Sequence, residues 1–286
     1  MRKNNIPHLP NLRKRQRQQR ALKSLGVFFI ALLFSGAIIW GANNNSLIII
    51  NVNVSGAKVI DPKLIENTVQ DVLSGYYFYF FPKANSLIYP REKVLEKVLE
   101  KFPRLSDAGI NFVNFNTIKI NVVERIPYGL LCEDATKIAT EQTCYFFDDT
   151  GYIFDIAPKF FGTIYFTIFG PIYAFENSVA TSPLKGTIFE DGVFEKIATL
   201  RDKLASQKIE TTRMVVRKSG VVDLYMENGG RIVLSTAQDF ESMFSNFIIA
   251  LDSKKKEENF DMKNIEYIDT RFNNRIYFKF IQHSNI

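Results

Sequence analysis

From Ser24 to Ala57 the chain carries no charged side chain, and Leu25 to Ala42 reads LGVFFIALLFSGAIIWGA. In helical form those eighteen residues extend about 27 Å, close to a hydrocarbon core of about 30 Å. Ten of them are Leu, Ile, Phe or Val. At about 0.3 to 0.6 kcal/mol each they favour insertion by roughly 3 to 6 kcal/mol, with no charge opposing them. Trp40 stands near the far end, where an indole prefers the membrane–water boundary. A cleaved signal sequence would have a shorter apolar stretch and a small-x-small cleavage site; here the run is long and Asn43-Asn44-Asn45 follows it. The sequence therefore predicts a retained transmembrane helix over 25–42.

The charge distribution gives that helix a direction. The formal net charge is +6, but Arg2, Lys3, Arg13, Lys14, Arg15, Arg17, Arg20 and Lys23 all precede the span and no acid accompanies them. Subtracting these eight leaves −2 for the rest. Basic residues flanking a span stay on the cytoplasmic side, so the expectation is a cytoplasmic tail at 1–24 and an extracytoplasmic region from Asn43 onward. The span accounts for the tail without a nucleic acid, and the remainder lacks the basic face that nucleic-acid binding would need. With 46% hydrophobic and 23% charged residues, the outer region should fold.

Compartment decides how the cysteines read. Cys132 and Cys144 are the only two, and both fall outside. Their spacing suits a disulfide across the ends of a hairpin loop, worth about 3 kcal/mol in the chain-entropy model; two free buried thiols are the alternative. The only histidines are His8 and His283, so neither a metal site nor a cofactor is expected.

The outer region starts as alternating structure. Ser46 to Val54 reads as a strand with Ile48, Ile50, Val52 and Val54 on one face. Asp61-Pro62 has the form of an N-cap followed by a proline at the first helical position. Leu64, Ile65, Thr68, Val69, Val72 and Leu73 then share a helix face, and Gly75 ends it. Tyr76 to Pro82, YYFYFFP, lacks the interleaved basic residues of a stacking platform; it reads as packing or an interfacial contact near the bilayer. A second helix follows Pro90, with Val94, Leu95, Val98, Leu99 and Phe102 inward. Ile110 to Val113 and Ile118 to Val123 form a hairpin. The order is β-α-α-β-β over 46–126, two helices on a three-stranded sheet.

From 127 to 286 the pattern is β-rich. Strands are expected at Tyr128 to Leu131, Tyr145 to Phe147, Tyr152 to Phe154, Met214 to Arg217, Val221 to Met226 and Arg231 to Leu234, with a further apolar run over Gly162 to Phe169. One helix follows Asp191, and another follows a capping box at Ser235 and Gln238. Ile265 to Thr270 and Arg275 to Ile281 close the chain as a hairpin around Asn273-Asn274. The fold class is thus α+β: one transmembrane helix, a β-α-α-β-β module, then a mixed β-rich domain with two or more helices.

This layout resembles the FtsQ/DivIB cell-division proteins, whose β-α-α-β-β module is a POTRA domain. Val52-Asn53-Val54-Ser55-Gly56 is similar to the family's first strand and glycine. Lys101-Phe102-Pro103-Arg104-Leu105 resembles its break after the second helix. Ile118-Lys119-Ile120-Asn121-Val122-Val123-Glu124-Arg125-Ile126-Pro127 is close to its E-R-x-P segment. Asp148-Asp149-Thr150-Gly151 resembles its D-x-x-G turn. Ile265-Glu266-Tyr267-Ile268-Asp269-Thr270-Arg271-Phe272 resembles its closing strand, with Thr270 for the usual Leu and Phe272 for the usual Tyr. The cysteine pair is not general to the family. The resemblance implies a scaffold in the division septum whose last strands pair with a segment of an FtsB/DivIC-like protein, itself in a coiled coil with an FtsL-like protein. Strand addition at an open sheet edge is the physical mode. Arg271, Phe272 and Asn274 match family positions on that surface, and Ile276 and Phe278 extend it along the next strand. Ordinary sheet packing is the alternative for these five.

Two other readings compete. POTRA modules also occur in envelope-assembly chaperones and adaptors, although usually in series and before a barrel. Membrane-anchored cell-wall enzymes share the topology and use S-x-x-K. Ser182-Pro183-Leu184-Lys185 followed by Lys218-Ser219-Gly220 imitates that pattern. However, Pro183 and Gly186 bracket the segment, no S-x-N lies between the motifs, and the helix comes later. With no histidine beyond the two, a Ser-His-Asp or Cys-His arrangement is not expected, and no phosphate-binding glycine loop is present. The expectation is a non-enzyme without small-molecule substrate or nucleic acid.

Overall fold

The computed structural model describes residues 10–137, 141–159, 164–170, 183–189, 192–217, 220–258, 260–272 and 275–281, with backbone alone at 10–16 and 18. The class is α+β. The chain divides into two compact units, Met1–Glu124 and Arg125–Ile286, and each builds its own core.

The first unit opens with α1 (Pro10–Ala42). Its segment Gln19–Ala42, whose most apolar stretch reaches a mean hydropathy of 2.2, is the one helix among the described residues long and apolar enough to cross a membrane. Then come β1 (Asn51–Ser55), α2 (Pro62–Leu73), the short pair β2 (Tyr76–Tyr77) and β3 (Phe81–Pro82), α3 (Arg91–Lys101), β4 (Leu105–Asn114) and β5 (Thr117–Glu124). The sheet runs β1-β5-β4, with β1 parallel and β4 antiparallel to the central β5. Ile65, Val69 and Leu73 of α2 and Val94 and Val98 of α3 share a core with Val52, Ile110, Ile118 and Ile120 of the sheet. Burying each such side chain is worth about 1.5 to 3 kcal/mol.

Local chemistry sets the boundaries. Asp61 Oδ1 accepts from Lys63 N at 2.9 Å, and Pro62 fills the first helical position. Gly56 holds φ +94°, and a Cβ there would lie 2.0 Å from Val122 O, so only glycine lets β1 leave the sheet at that point.

Three expectations for this unit change. The strand does not begin at Ser46: Asn45–Leu47 is a 3-10 turn capped by Asn44. Ile49 N then bonds Ala84 O at 2.8 Å, and Ile50 N and Asn51 N both bond Asn116 O at 2.9 and 3.0 Å. That shift breaks the alternation, so Ile49 is buried and Ile50 exposed. Leu64 is also exposed, because it sits at the margin of the α2 stripe. Finally, β4 starts at Leu105 rather than Ile110, since pairing with β5 overrides the weak strand preference of Asp107 and Gly109.

The second unit is one nine-stranded sheet in the order β14-β13-β12-β11-β10-β9-β6-β7-β8. Its elements are β6 (Gly129–Cys132), β7 (Cys144–Phe147), β8 (Ile153–Ile156), β9 (Phe166–Phe169), α4 (Val193–Ser206), β10 (Thr211–Val216), β11 (Val221–Met226), β12 (Arg231–Ser235), α5 (Phe240–Lys254), β13 (Ile265–Phe272) and β14 (Arg275–Phe280). Phe194, Ile197, Leu200 and Leu204 of α4, with Phe240, Met243, Phe247 and Leu251 of α5, join Ile168, Met214, Leu224, Ile232 and Ile268 in the main core. A smaller cluster is built from Leu130, Cys132, Cys144, Phe146, Phe154 and Phe169, which alternate along their strands with main-core positions. Cys132 and Cys144 stand directly opposite each other across β6 and β7, with Cα atoms 4.5 Å apart, and form a disulfide. The cap of α5 is Asp239, whose carboxylate accepts from Glu241 N and Ser242 N at 3.3 Å, rather than Ser235. Asp239 adjoins the first helical residue, while Ser235 and Gln238 only bond within the preceding turn.

Candidate functional site

A nine-stranded open sheet has two edges, and an unpaired edge is a template for another strand. At one end lies β8, whose first residue the chain pairs itself: Ile153 N donates to Gly186 O and Lys185 N donates to Ile153 O, both at 2.8 Å. At the other end lies β14, which pairs with β13 and has no strand partner on its second side among the described residues. Of the candidate partner-binding residues, Arg271 and Phe272 lie at the end of β13, and Ile276 and Phe278 lie on β14.

The structure sorts them. Phe272 is half exposed, and its ring meets Tyr277 edge-on at 5.4 Å. The pairing of β13 with β14 shifts register between Asp269 and Phe272. Ile276 and Phe278 are half-buried and pack against the main core, so β14 grips its own unit with alternate side chains. The alternate residues Tyr277 and Lys279 are exposed. Arg271 turns back on its own strand: Nε and Nη2 donate to the Asp269 carboxylate at 2.9 and 2.6 Å, and Asp269 Oδ1 accepts from Arg271 N at 3.1 Å. Burial pushes the Asp269 carboxyl up, but the hydrogen bonds and charge of Arg271 outweigh it and hold it below its usual value. Asn274 lies outside the described residues.

Next to the edge is an open groove of about 710 Å³. The cap Asp239 with Ser242 and Asn246 of α5 line one side, and Thr270, Phe272 and Ile276 line the other. Thr270 is buried, and its hydroxyl donates to Val233 O at 3.0 Å. A hydroxyl at this interior position is therefore satisfied within the sheet. Sequence reasoning missed Tyr277. The signal was available: if Ile276 and Phe278 face the core, the residue between them must face out.

The other segments carrying the resemblance have structural roles. Glu124 lies at the end of β5, and its carboxylate accepts from Lys58 N, Val59 N and Ile60 N at 2.7, 2.9 and 3.0 Å. Burial raises its pKa, but those backbone donors and the nearby Arg104 guanidinium reverse the sign, leaving it below the usual carboxylate value. Arg125 pairs with Asp148 and stacks 4.2 Å over the Tyr152 ring. Asp148 Oδ1 also accepts from Thr150 N and Tyr152 N, both at 3.0 Å, and so closes the turn before β8. Of the serine–lysine imitation, Ser182, Lys218 and Ser219 lie outside the described residues; Lys185 sits in the turn that pairs with the first residue of β8. The histidines, His8 and His283, also lie outside them. No group of three or more His, Cys, Asp or Glu side chains is placed to hold a metal ion among the described residues.

No family model matches the chain, and comparison with curated proteins gives no match.

Proposed function

We propose that the chain is a membrane-anchored scaffold of the FtsQ/DivIB type, with no catalytic role. It holds other division proteins at the septum of the cell membrane. The observation that carries this reading is the open β14 edge beside the Phe272–Tyr277 ring pair. A six-residue strand offers backbone donors and acceptors for strand addition, and an aromatic pair at its end gives an anchor for specificity. The partner is an FtsB/DivIC-like segment, presented by a coiled coil with an FtsL-like protein. The β-α-α-β-β order of the first unit supports a POTRA-like module, and the apolar helix at Gln19–Ala42 supports a single-pass anchor with a cytoplasmic N-terminus.

The test is capture of the partner by the full chain from native membranes. Phe272→Asp puts a charge on a half-exposed ring position, so the unit keeps its fold while the edge loses its anchor. Binding is expected to fall by tenfold or more, since truncating an interface anchor costs about 2 kcal/mol or more. Unchanged capture would remove Phe272 from the interface. Depletion of the protein should give filamentous cells; normal septation would sink the division role itself.

A further inference from the structure

The exposed apolar side chains of the first unit are not scattered. Between Val52 and Glu124 every exposed large apolar residue except Val59, Leu64 and Val123 lies in one of three places. These are the β2–β3 hairpin, the loop at Leu87 and Ile88, and the β4–β5 tip at Phe112, Val113 and Phe115. The stretches Tyr76–Pro82, Ala84–Pro90 and Phe112–Thr117 contain no charged residue.

The same three places are hydrogen-bonded to the chain as it leaves α1. Asn43 Nδ2 donates to Phe80 O at 2.9 Å, and Asn85 Nδ2 donates to Ala42 O at 2.8 Å. Ser86 N donates to Leu47 O at 2.8 Å. Asn116 Nδ2 donates to Asn45 O and Ile48 O at 2.8 and 2.7 Å. Three apolar, uncharged loops are thus strapped around the exit of the helix that is apolar enough to cross a membrane. Opposite them, at the far end of the sheet, the chain turns through Gly56 to Lys58.

The hairpin tip carries a second mark. Phe78 and Tyr79 hold φ of +48° and +67° and are 84% and 94% exposed. Phe80 N donates to Tyr77 O at 3.1 Å, closing a tight turn whose two central residues are both left-handed. Asn and Gly favour those positions, and bulky residues there are strained. Aromatic rings that touch no core and sit in a disfavoured backbone contribute nothing to folding, so their use lies outside the unit.

We infer that these loops form an interfacial foot. Phe78, Tyr79, Ile88 and Phe115 enter the headgroup and upper acyl region of the bilayer around the helix exit and fix the first unit on the membrane surface. Rings with an apolar body are favoured at that depth. The occupant is the lipid surface itself, because the same hydrogen bonds that place the loops place the end of the span. The inference rests on the membrane-anchor reading of α1.

The experiment uses the full chain in vesicles containing lipids dibrominated high on the acyl chain. Trp40, the sole tryptophan, reports on the span in the parent. In a Trp40→Phe background, Tyr79→Trp places an indole on the foot and Lys58→Trp places one at the far end. The indole at position 79 should lose at least half its emission and shift to the blue, while that at position 58 keeps its intensity. If Tyr79→Trp does not fold, Phe115→Trp reads the same surface. Quenching of native Trp40 with none at positions 79 or 115 overturns the foot alone. Absence of quenching at Trp40 overturns the anchor and the foot together. The double change Phe78→Asn with Tyr79→Gly supplies an independent arm. It should leave the chain at least as stable in detergent while relieving the quenching of an indole at 115. A clear loss of stability would mean that the rings serve the fold.

Discussion

Glu124 shows how one side chain can hold a corner of a fold. Three successive backbone N–H groups, from Lys58 to Ile60, point at its carboxylate, and Arg104 stands 3.8 Å away. Hydrogen bonds to a charged group contribute about 1.5 to 3 kcal/mol, so Glu124→Gln should destabilise the first unit by about that much at neutral pH. The sign with pH follows from the depressed pKa. A carboxyl held below its unfolded value of about 4.3 stabilises fully above that pH and loses its contribution as pH falls through the folded value. Denaturant melts of the full chain between pH 7 and pH 3 should therefore show the parent losing stability below about pH 4, and the Gln variant losing less. Parallel pH profiles would mean that the three amides do not depend on the charge. Arg271 is a contrasting case. The family resemblance implied it as a partner contact, yet its guanidinium is engaged by Asp269. That engagement could not be read from residue types, because any exposed arginine on a terminal strand presents the same signal.

At the scale of elements, β6 and β7 meet through Cys132 and Cys144 in register. Closing about 13 residues is worth about 3 kcal/mol in the entropic account. For a unit of this size each kcal/mol shifts Tm by about 2 to 4 °C. Cys132→Ser with Cys144→Ser should thus lower the melting of the second unit by roughly 6 to 12 °C, as should reductant on the parent. Identical melts with and without reductant would remove any stabilising role. The cysteine loop was legible because two thiols flanking a polar segment between strand-like runs restrict the pairing geometry. Helix α2 was legible for a similar reason: Asp61-Pro62 and the apolar stripe act locally. The phase of β1 was not legible. Just before it, Ile49 and Ile50 take their register from Ala84 and Asn116, which lie 35 and 66 residues away along the chain, and a one-residue slip exchanges the two faces. The start of β4 at Leu105 was hidden likewise, since Asp107 and Gly109 are strand residues only through pairing with β5. At the candidate site the hairpin itself was readable. The division of labour along β14, with Ile276 and Phe278 inward and Tyr277 outward, depended on α5 covering one face.

For the whole molecule, the proposed orientation joins two features that lie more than a hundred residues apart in the sequence. The eight basic residues precede the span, and the disulfide lies beyond it. A disulfide persists in an oxidising compartment and is kept reduced in the cytosol, so its oxidation state records which side of the membrane the second unit occupies. Basic residues near a span set its direction, and removing them should scramble it. Replacing Arg13, Lys14, Arg15, Arg17, Arg20 and Lys23 with Gln is expected to give a mixed population in cells. The inverted fraction should resist protease added from outside, and its Cys132 and Cys144 should react with a maleimide without prior reduction. In the parent, both thiols should be blocked and the outer region fully digested. The two readouts test orientation independently, one by access and one by chemistry, and they should identify the same fraction of molecules. A variant that stays fully protease-sensitive and fully oxidised would show that the tail does not orient the chain.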